Sequence, residues 1–274
     1  DGAVNPFREI STVKTIVTDQ LRTVNATAVS ASWDTEAAQV SDDTPTWANT
    51  DISVHMARAF VPHSIEIGMD YPGFTQDVAM LMAEAKTNLE ATAHATGTGS
   101  GQPFGIVTAI AGTSYEVNAA TDDVFALADV YKLDDELPSR FADNATWVAN
   151  KKIYGLTRQA GGANLDDFWV NLRDGRPPLL LGHPTREASA MDGVITTSGA
   201  VSNYILVLGD FRNYWIVDRV GFSVELIPHL FQQTTAGTGQ GRPTGQRGVF
   251  AFWRTGADSV NDRAFRLLDV PSAA

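Results

Sequence analysis

The longest regular pattern of apolar and polar positions lies between Thr75 and Thr96. Apolar residues recur there at the helical spacing i, i+4, i+7 and i+11: Val78, Met82, Ala85 and Leu89. No proline or glycine interrupts the stretch, Thr75 is a candidate N-cap, and Gly97 is a candidate stop in the left-handed conformation. The pattern predicts one helix of about 20 residues, roughly 30 Å long, on which other segments pack.

The chain before this helix is predicted to be extended and poor in apolar surface. Residues 1–32 mix small, β-branched and polar residues and are typical of an arm that lies on something else. Residues 33–66 predict a long hairpin: an acidic, turn-rich half is followed by alternating apolar positions between Ile52 and Ile67. Such a hairpin is not stable alone. We therefore expect it to rest on another chain, and an ordinary surface loop with one strand is the alternative.

The chain after the helix mixes short helices and strands. Residues 106–110 predict a short strand or turn, a helix follows near Leu127, and a buried strand at Trp147 leads to a helix capped by Asn150. Further strands are predicted from β-branched and aromatic runs at Tyr204–Leu208, Tyr214–Val217, Phe222–Ile227, Val249–Trp253 and near the C-terminus. The order predicts an α+β fold with two lobes, one around the long helix and the last strands and one from residues 123–213.

Composition excludes several classes of protein. The 274 residues contain no cysteine, so disulfides and thiolate chemistry are ruled out. The formal charge of −12 disfavours tight nucleic-acid binding, and no apolar run approaches the roughly 18 residues of a membrane span. The chain begins at Asp1 instead of methionine, and we interpret this as removal of an N-terminal piece, by processing or by trimming.

Candidate chemistry is weak throughout. The glycine-rich run 97–105 lacks the Gly-Lys-Ser/Thr ending of a phosphate loop and follows a helix instead of opening one, so we interpret it as the exit turn of the helix. The histidines show no metal-ligand spacing: His55, His63, His94, His183 and His229. No nucleophile elbow is present, and paired acidic residues are better explained by capping and solvation. We therefore expect no catalytic, cofactor-binding or metal-binding residue.

Three stretches, in this order, resemble one protein family. They are the glycine-rich run leading through Pro103 and Gly105 to Ile106, then Leu181-Gly182-His183-Pro184 with Met191-Asp192, and finally Leu208-Gly209-Asp210-Phe211 with Tyr214 to Arg219. Together they are similar to segments of the major capsid proteins of tailed bacteriophages of the Hong Kong 97 type. The resemblance spans nearly the whole chain, and the start at Asp1 fits the mature, processed form.

The resemblance implies a Hong Kong 97-type capsid fold with named parts. These would be an N-terminal arm (1–30), an extended β-hairpin loop (31–72), a peripheral domain with a long spine helix (73–122), an axial domain (123–213) and returning strands of the peripheral domain (214–274). It implies a structural protein, not an enzyme, that assembles with other copies of itself as hexamers and pentamers into an icosahedral head.

The same resemblance implies that the head encloses double-stranded DNA without sequence-specific binding and is assembled in the bacterial host cytoplasm. Decoration and portal proteins are candidate partners, and no membrane is involved. An encapsulin-type shell around an enzyme cargo and an α+β enzyme with a distributed site are the alternatives. Some members of the family cross-link subunits through an extended-loop lysine, but this chain has no lysine between Lys14 and Lys86, so we expect no such bond.

Overall fold

The computed structural model describes residues 3–26, 29, 31, 33, 44–160, 179–231, 241 and 243–273. Its helices are α1 (Phe7–Ile10), α2 (Ile65–Asp70), α3 (Phe74–Thr96), α4 (Ile106–Ile110), α5 (Leu127–Asp135), α6 (Ser139–Ala142) and α7 (Lys151–Ala160). Its strands are β1 (Thr12–Thr15), β2 (Gln20–Ala26), β3 (Trp47–Ser53), β4 (His55–Ser64), β5 (Glu116–Asn118), β6 (Thr146–Ala149), β7 (Leu179–Leu180), β8 (His183–Glu187), β9 (Tyr204–Gly209), β10 (Tyr214–Ile227), β11 (Gln246–Ser259) and β12 (Phe265–Asp269).

Within the described residues, one sheet has four strands in the order β1–β10–β11–β4. β10 and β11 are antiparallel and 14 residues long each, β4 is antiparallel to β11, and β1 is parallel to β10. The two strands predicted at Tyr214–Val217 and Phe222–Ile227 are one strand. Register shifts between Asp218 and Ser223 keep it paired with β11 across the irregular stretch.

Helix α3 packs on one face of this sheet through its first half only. Val78 and Met82 contact Val249 and Ala251 of β11. The predicted apolar stripe is wrong beyond Met82, because Ala85 is exposed and Leu89 is 51% exposed. The second half of the helix packs against α4 and the main core instead, and it buries other positions: Glu90, Ala91, Ala93, His94 and Ala95.

Both predicted ends of α3 need correction. The helix starts at Phe74 with Gly73 at the N-cap, so the Thr75 side chain does not cap it. Gly97 does end the helix, but its φ of −60° and ψ of 144° are extended, not left-handed. Residues 106–110, predicted as a strand or turn, form α4. Ile106, Val107, Ala109 and Ile110 are all buried at helical spacing.

The other large sheet in the described part of the chain has six strands in the order β5–β12–β9–β6–β8–β7. β6 and β12 are buried along their whole length, which is typical of strands covered on both faces. The helix predicted near Leu127 is α5, and the Asn150 carboxamide caps α7 by accepting from the Lys152 amide at 3.1 Å. The last strand, β12, lies beside β9, so this sheet combines segments from both predicted lobes. The division into domains stays a prediction.

The predicted hairpin exists, but it uses different strands. β2 and β3 pair antiparallel from Gln20 opposite Ser53 to Ala26 opposite Trp47, so residues assigned to the arm supply one strand. β4 pairs with β11 instead, since its alternating apolar positions continue the four-stranded sheet. A surface loop with a single strand is therefore the wrong interpretation. Most of the tip, between residues 27 and 43, lies outside the described residues.

The N-terminal segment is not a free arm. Phe7 is fully buried in the main core, and β1 pairs with β10. The sequence did not predict the burial of this segment, because a single phenylalanine in a polar stretch carries no periodic signal.

Candidate functional site

The exposed outer face of the β2–β3 hairpin is the first candidate surface. On the inner face, Leu21 and Ile52 pack with Val54 and Val217, which seats the hairpin on the four-stranded sheet. Residues of the opposite parity point away, because successive side chains of a strand alternate. On that side Val24 is 59% and Trp47 66% exposed. The hairpin is therefore anchored at its base and exposes apolar groups on its outer face.

Ionic contacts hold the base of the hairpin. The Asp19 carboxylate accepts hydrogen bonds from Arg219 of β10 and, at 2.9 Å, from Arg254 of β11. The Asp19 carbonyl accepts from the Val54 amide at 3.0 Å. The Asn25 carboxamide also donates to the Val260 carbonyl at 2.8 Å. These contacts fix the direction in which the hairpin leaves the body of the subunit.

The face of the four-stranded sheet opposite α3 is the second candidate surface, and no described helix covers it. Phe60 of β4 is 47% exposed and lies opposite Phe250 of β11. The Phe250 ring stacks on Phe252, with the ring centroids 5.7 Å apart. Arg58 lies opposite Phe252 on the same face. We call Met56, Arg58, Phe60, Phe250 and Phe252 the open sheet face. It combines aromatic surface with the positive charge of Arg58, and the register also places the exposed Glu225 of β10 opposite Phe250 on this face.

A third set of exposed apolar side chains lies near the far end of the same sheet, on α2, on the end of β10 and just after it. Its members are Ile67, Met69, Tyr71, Leu226 and Phe231, each more than half exposed. Apolar side chains concentrated in this way on a subunit surface mark contacts with other protein chains.

The glycine-rich run is an exit turn, as the sequence predicts. Thr98 and Phe104 form a β-bridge across it, and Gly99 and Gly101 have positive φ. The Tyr214 hydroxyl donates to the Phe104 carbonyl at 2.8 Å and so ties the turn to β10. The turn borders a pocket of about 210 Å³ whose lining includes Leu89 and Trp253. This explains why Leu89 is not covered by the subunit's own sheet.

A cluster of charges that the sequence did not predict joins three separate segments. Arg8 of α1 contacts Glu90 of α3 at 2.7 Å and Asp218 of β10 at 2.8 Å, and Lys86 contacts Glu90 at 2.9 Å. Burial opposes ionisation of Glu90 and Asp218, but the hydrogen bonds and charge of Arg8 lower the pKa of both carboxyl groups overall. No local motif signals the cluster, because its acidic members lie 82 and 210 residues from Arg8.

Among the residues that the structure describes, none of the five histidines lies in a metal site. Across the described residues, no group of three or more histidine, aspartate or glutamate side chains could hold a metal ion. His183 lies 3.5 Å from Asp134, and the His63 ring packs on Phe74. His94 is fully buried beside Phe7 and Tyr214. None of the helices in the described part of the chain is both long and apolar enough to cross a membrane.

A seated hairpin, an open aromatic sheet face and a cluster of exposed apolar side chains at one end of that sheet define a subunit with surfaces for association. The chain belongs to the phage capsid family, whose model matches residues 2–270. Its fold is the Hong Kong 97-type capsid fold, and it is a major capsid protein: a structural component of the virion, not an enzyme. Membership of this family favours the phage capsid interpretation over the encapsulin-type and enzyme alternatives.

Solved structures agree on the fold. The capsid of a native GTA particle superposes with a TM-score of 0.77 at 24% identity, covering 100% of this chain and 93% of that one. A structure from Mycobacterium phage Adephagia gives 0.71 at 13% identity, covering 98% and 90%. The capsid of cyanophage P-SCSP1u gives 0.68 at 11% identity, covering 100% and 90%. No curated protein matches the chain significantly.

Proposed function

We propose that the chain assembles with copies of itself, as hexamers and pentamers, into the icosahedral head of a tailed bacteriophage that encloses double-stranded DNA. The observation that carries this proposal is that one subunit has two separate exposed apolar surfaces. The hairpin presents Trp47 and Val24 outward, and the open sheet face presents aromatic rings that no described helix covers. A head subunit needs such surfaces, since each copy must contact several others.

Charge supports contact between the hairpin of one copy and the open sheet face of the next. Residues 27–46 carry four acidic side chains and no basic one: Asp34, Glu36, Asp42 and Asp43. The edge of the open sheet face formed by β4 carries Arg58 beside the aromatic rings, whereas Glu225 lies on the β10 side of that face, so the acidic hairpin segment is expected at the β4 edge. Opposite charges steer and orient association, while the buried aromatic area supplies most of the affinity.

The negative subunit suits a container for DNA. A shell that encloses packed DNA should not grip it, and a net charge of −12 disfavours tight, sequence-specific adhesion. We place assembly in the bacterial host cytoplasm and propose portal and decoration proteins as further partners. A continuous lining of lysine and arginine on the inner face of the shell would contradict this account of the charge.

The hairpin contact can be tested with Trp47→Ser. Because Trp47 is 66% exposed in the subunit, we expect the variant to fold normally but to form shells at least about tenfold less efficiently, as expected for a lost aromatic contact. Assembly is measured by sedimentation and negative-stain electron microscopy. Asn49→Ser, an exposed change on the same outward row of β3, is the control and should assemble normally.

Each possible result of the microscopy tests either the hairpin contact or the assignment as a phage head. Shell formation by Trp47→Ser at the normal level would rule out the hairpin contact while leaving the head assignment intact. Empty or DNA-filled phage heads from the unaltered protein support the head assignment. Small shells with protein cargo, or a compact monomer or dimer, would overturn it.

A further inference from the structure

The N-terminal segment lies at the junction between the two large sheets. Phe7 is fully buried, and its ring centroid is 6.0 Å from that of Phe211 and 6.2 Å from that of Tyr214. Phe211 lies in the short turn that follows β9 of the six-stranded sheet, and Tyr214 begins β10 of the four-stranded sheet. A contact with both rings therefore couples the end of one sheet to the start of the other.

Arg8 fastens this segment with charged hydrogen bonds. Its guanidinium donates to both Glu90 carboxylate oxygens, at 2.7 and 3.2 Å, and to both Asp218 oxygens, at 2.8 and 3.0 Å. Two-pronged pairs of this kind are the strongest ion pairs that proteins make, and they fix geometry as well as charge. The Glu90 side chain is only 3% exposed, so it depends on Arg8 and Lys86 for its compensation.

His94 lies against this arrangement without a hydrogen bond. It is fully buried, one turn after Glu90, and neither ring nitrogen has a partner among the described residues. The charged groups that face it are Glu90 and Lys86 from α3, Arg8 from α1 and Asp218 from β10. The rings of Phe7 and Tyr214 pack edge-on to it at 6.3 and 6.4 Å. A buried imidazole whose nitrogens find no hydrogen-bond acceptor can take up a second proton, and so become charged, only if its surroundings open.

We propose that residues 3–15 form an acid-releasable latch across the two sheets, and that protonation of His94 opens it. The latch consists of the Phe7 ring between the sheets, the Arg8 clamp on Glu90 and Asp218, and the pairing of β1 with β10. Its release frees the N-terminal segment and removes the coupling between the sheets. The latch is a property of the folded subunit and does not depend on the proposed mode of assembly.

The direction of the pH dependence follows from the groups involved. Burial lowers the pKa of His94 to about 4 in the closed form, whereas a solvent-exposed histidine titrates near its ordinary value of 6.5. The open form therefore binds the proton more tightly, and the closed form loses stability as the pH falls from 6.5 towards 4. The pKa values of Glu90 and Asp218 are lowered, so their contribution is lost only at lower pH. His94 acts first.

The size of the effect can be stated in advance. Between pH 7.5 and pH 5, the ratio of closed to open latch should fall about 30-fold if His94 becomes fully solvated on opening. Amide hydrogen exchange of a peptide that covers β1 measures this ratio, because the pairing of β1 with β10 protects those amides. Rates are corrected for the intrinsic effect of pH. A peptide from β6, fully buried in the six-stranded sheet, reports global opening and should exchange far more slowly than the β1 peptide at both pH values.

The variant His94→Phe keeps a ring of similar shape and removes the titrating group. We expect its β1 exchange to be the same at both pH values after correction. His94→Gln, also neutral, serves if the larger ring is not tolerated. Arg8→Met should raise β1 exchange at both pH values, because Glu90 and Asp218 lose their shared partner. Arg22→Met is the matched control, since it removes an exposed ion pair with Asp51 outside the latch.

Two results would overturn the proposal. One is β1 exchange in the unaltered protein that does not rise between pH 7.5 and pH 5. The other is a histidine-free variant that keeps the full pH effect. Exchange of the β6 peptide at the same rate as the β1 peptide would also contradict the latch, because both would then report unfolding of the whole subunit.

Discussion

At the scale of single residues, close backbone approach decides what a position tolerates. Gly97 ends α3, and its carbonyl accepts from the Gly105 amide at 2.8 Å, which closes the glycine-rich turn. A Cβ at Gly97 would overlap the carbonyl oxygens of Ala93 and Pro103. Glycine is needed there because two backbone segments touch, and not because of the left-handed conformation that the sequence suggested.

We predict that Gly97→Ala lowers the free energy of unfolding by about 2 kcal/mol, the typical cost of forcing an extra methyl group into packed structure. Gly155→Ala is the control. Gly155 lies within α7 with open space around its Cβ position, so alanine there should stabilise the protein by about 0.5–1 kcal/mol. Chemical denaturation of the purified subunit, followed by circular dichroism, measures both values. Equal effects of the two changes would contradict the argument.

At the scale of elements, the long helix shows that apolar periodicity does not always coincide with burial. Val78, Met82, Ala85 and Leu89 do share one face of α3, but the four-stranded sheet covers only the first two. Beyond them the same face borders the pocket beside the glycine-rich turn. Since the neighbour of a helix can change along its length, one stripe can be core at one end and surface at the other.

This helix supports a prediction that reverses the expectation from sequence alone. The stripe by itself predicts that Leu89→Asp abolishes folding or assembly. Because Leu89 is 51% exposed and Met82 only 2%, we expect Leu89→Asp to yield folded subunit and Met82→Asp to yield insoluble protein. An unpaired carboxylate in a core costs several kcal/mol, about the whole stability of many domains. Soluble yield and the circular dichroism spectrum distinguish the two variants, and similar behaviour of both would show that the packing of α3 is misjudged.

At the scale of the whole molecule, the subunit relies on non-covalent contacts. The chain has no cysteine and, between Lys14 and Lys86, no lysine, so neither a disulfide nor an amide bond from an extended-loop lysine can link its copies. Stability of the shell must come from apolar area and ion pairs between copies, or from added proteins. The exposed apolar side chains of the hairpin and of the open sheet face are available for this.

We therefore predict that particles boiled in detergent release monomeric subunits only. Denaturing gel electrophoresis should show a single band for this chain, because no donor amine is present in the segment that would form the bond. A ladder of high-mass bands that persists after boiling would contradict the prediction. A particle rebuilt with Trp33→Lys serves as a comparison for gel mobility only, since a lysine by itself does not supply the rest of a cross-linking site.

The sequence alone determined the features that depend on local spacing. These include a long helix that ends at Thr96, the Asn150 cap of α7, the exit turn after Gly97 and the buried strands at Trp147 and Tyr204. Three motifs in order also determined the family. Periodicity reports whether a position is buried, but it does not report which segment buries it.

Only the tertiary structure decided which segments of the chain contact one another. It paired β2 with β3, placed β12 beside β9, left Leu89 open, and set Arg8 between Glu90 and Asp218. The physical reason is common to all of them. Contacts between residues 21 to 210 positions apart depend on how the elements pack, and a short polar segment such as the N-terminal one carries no periodic signal of what it will touch.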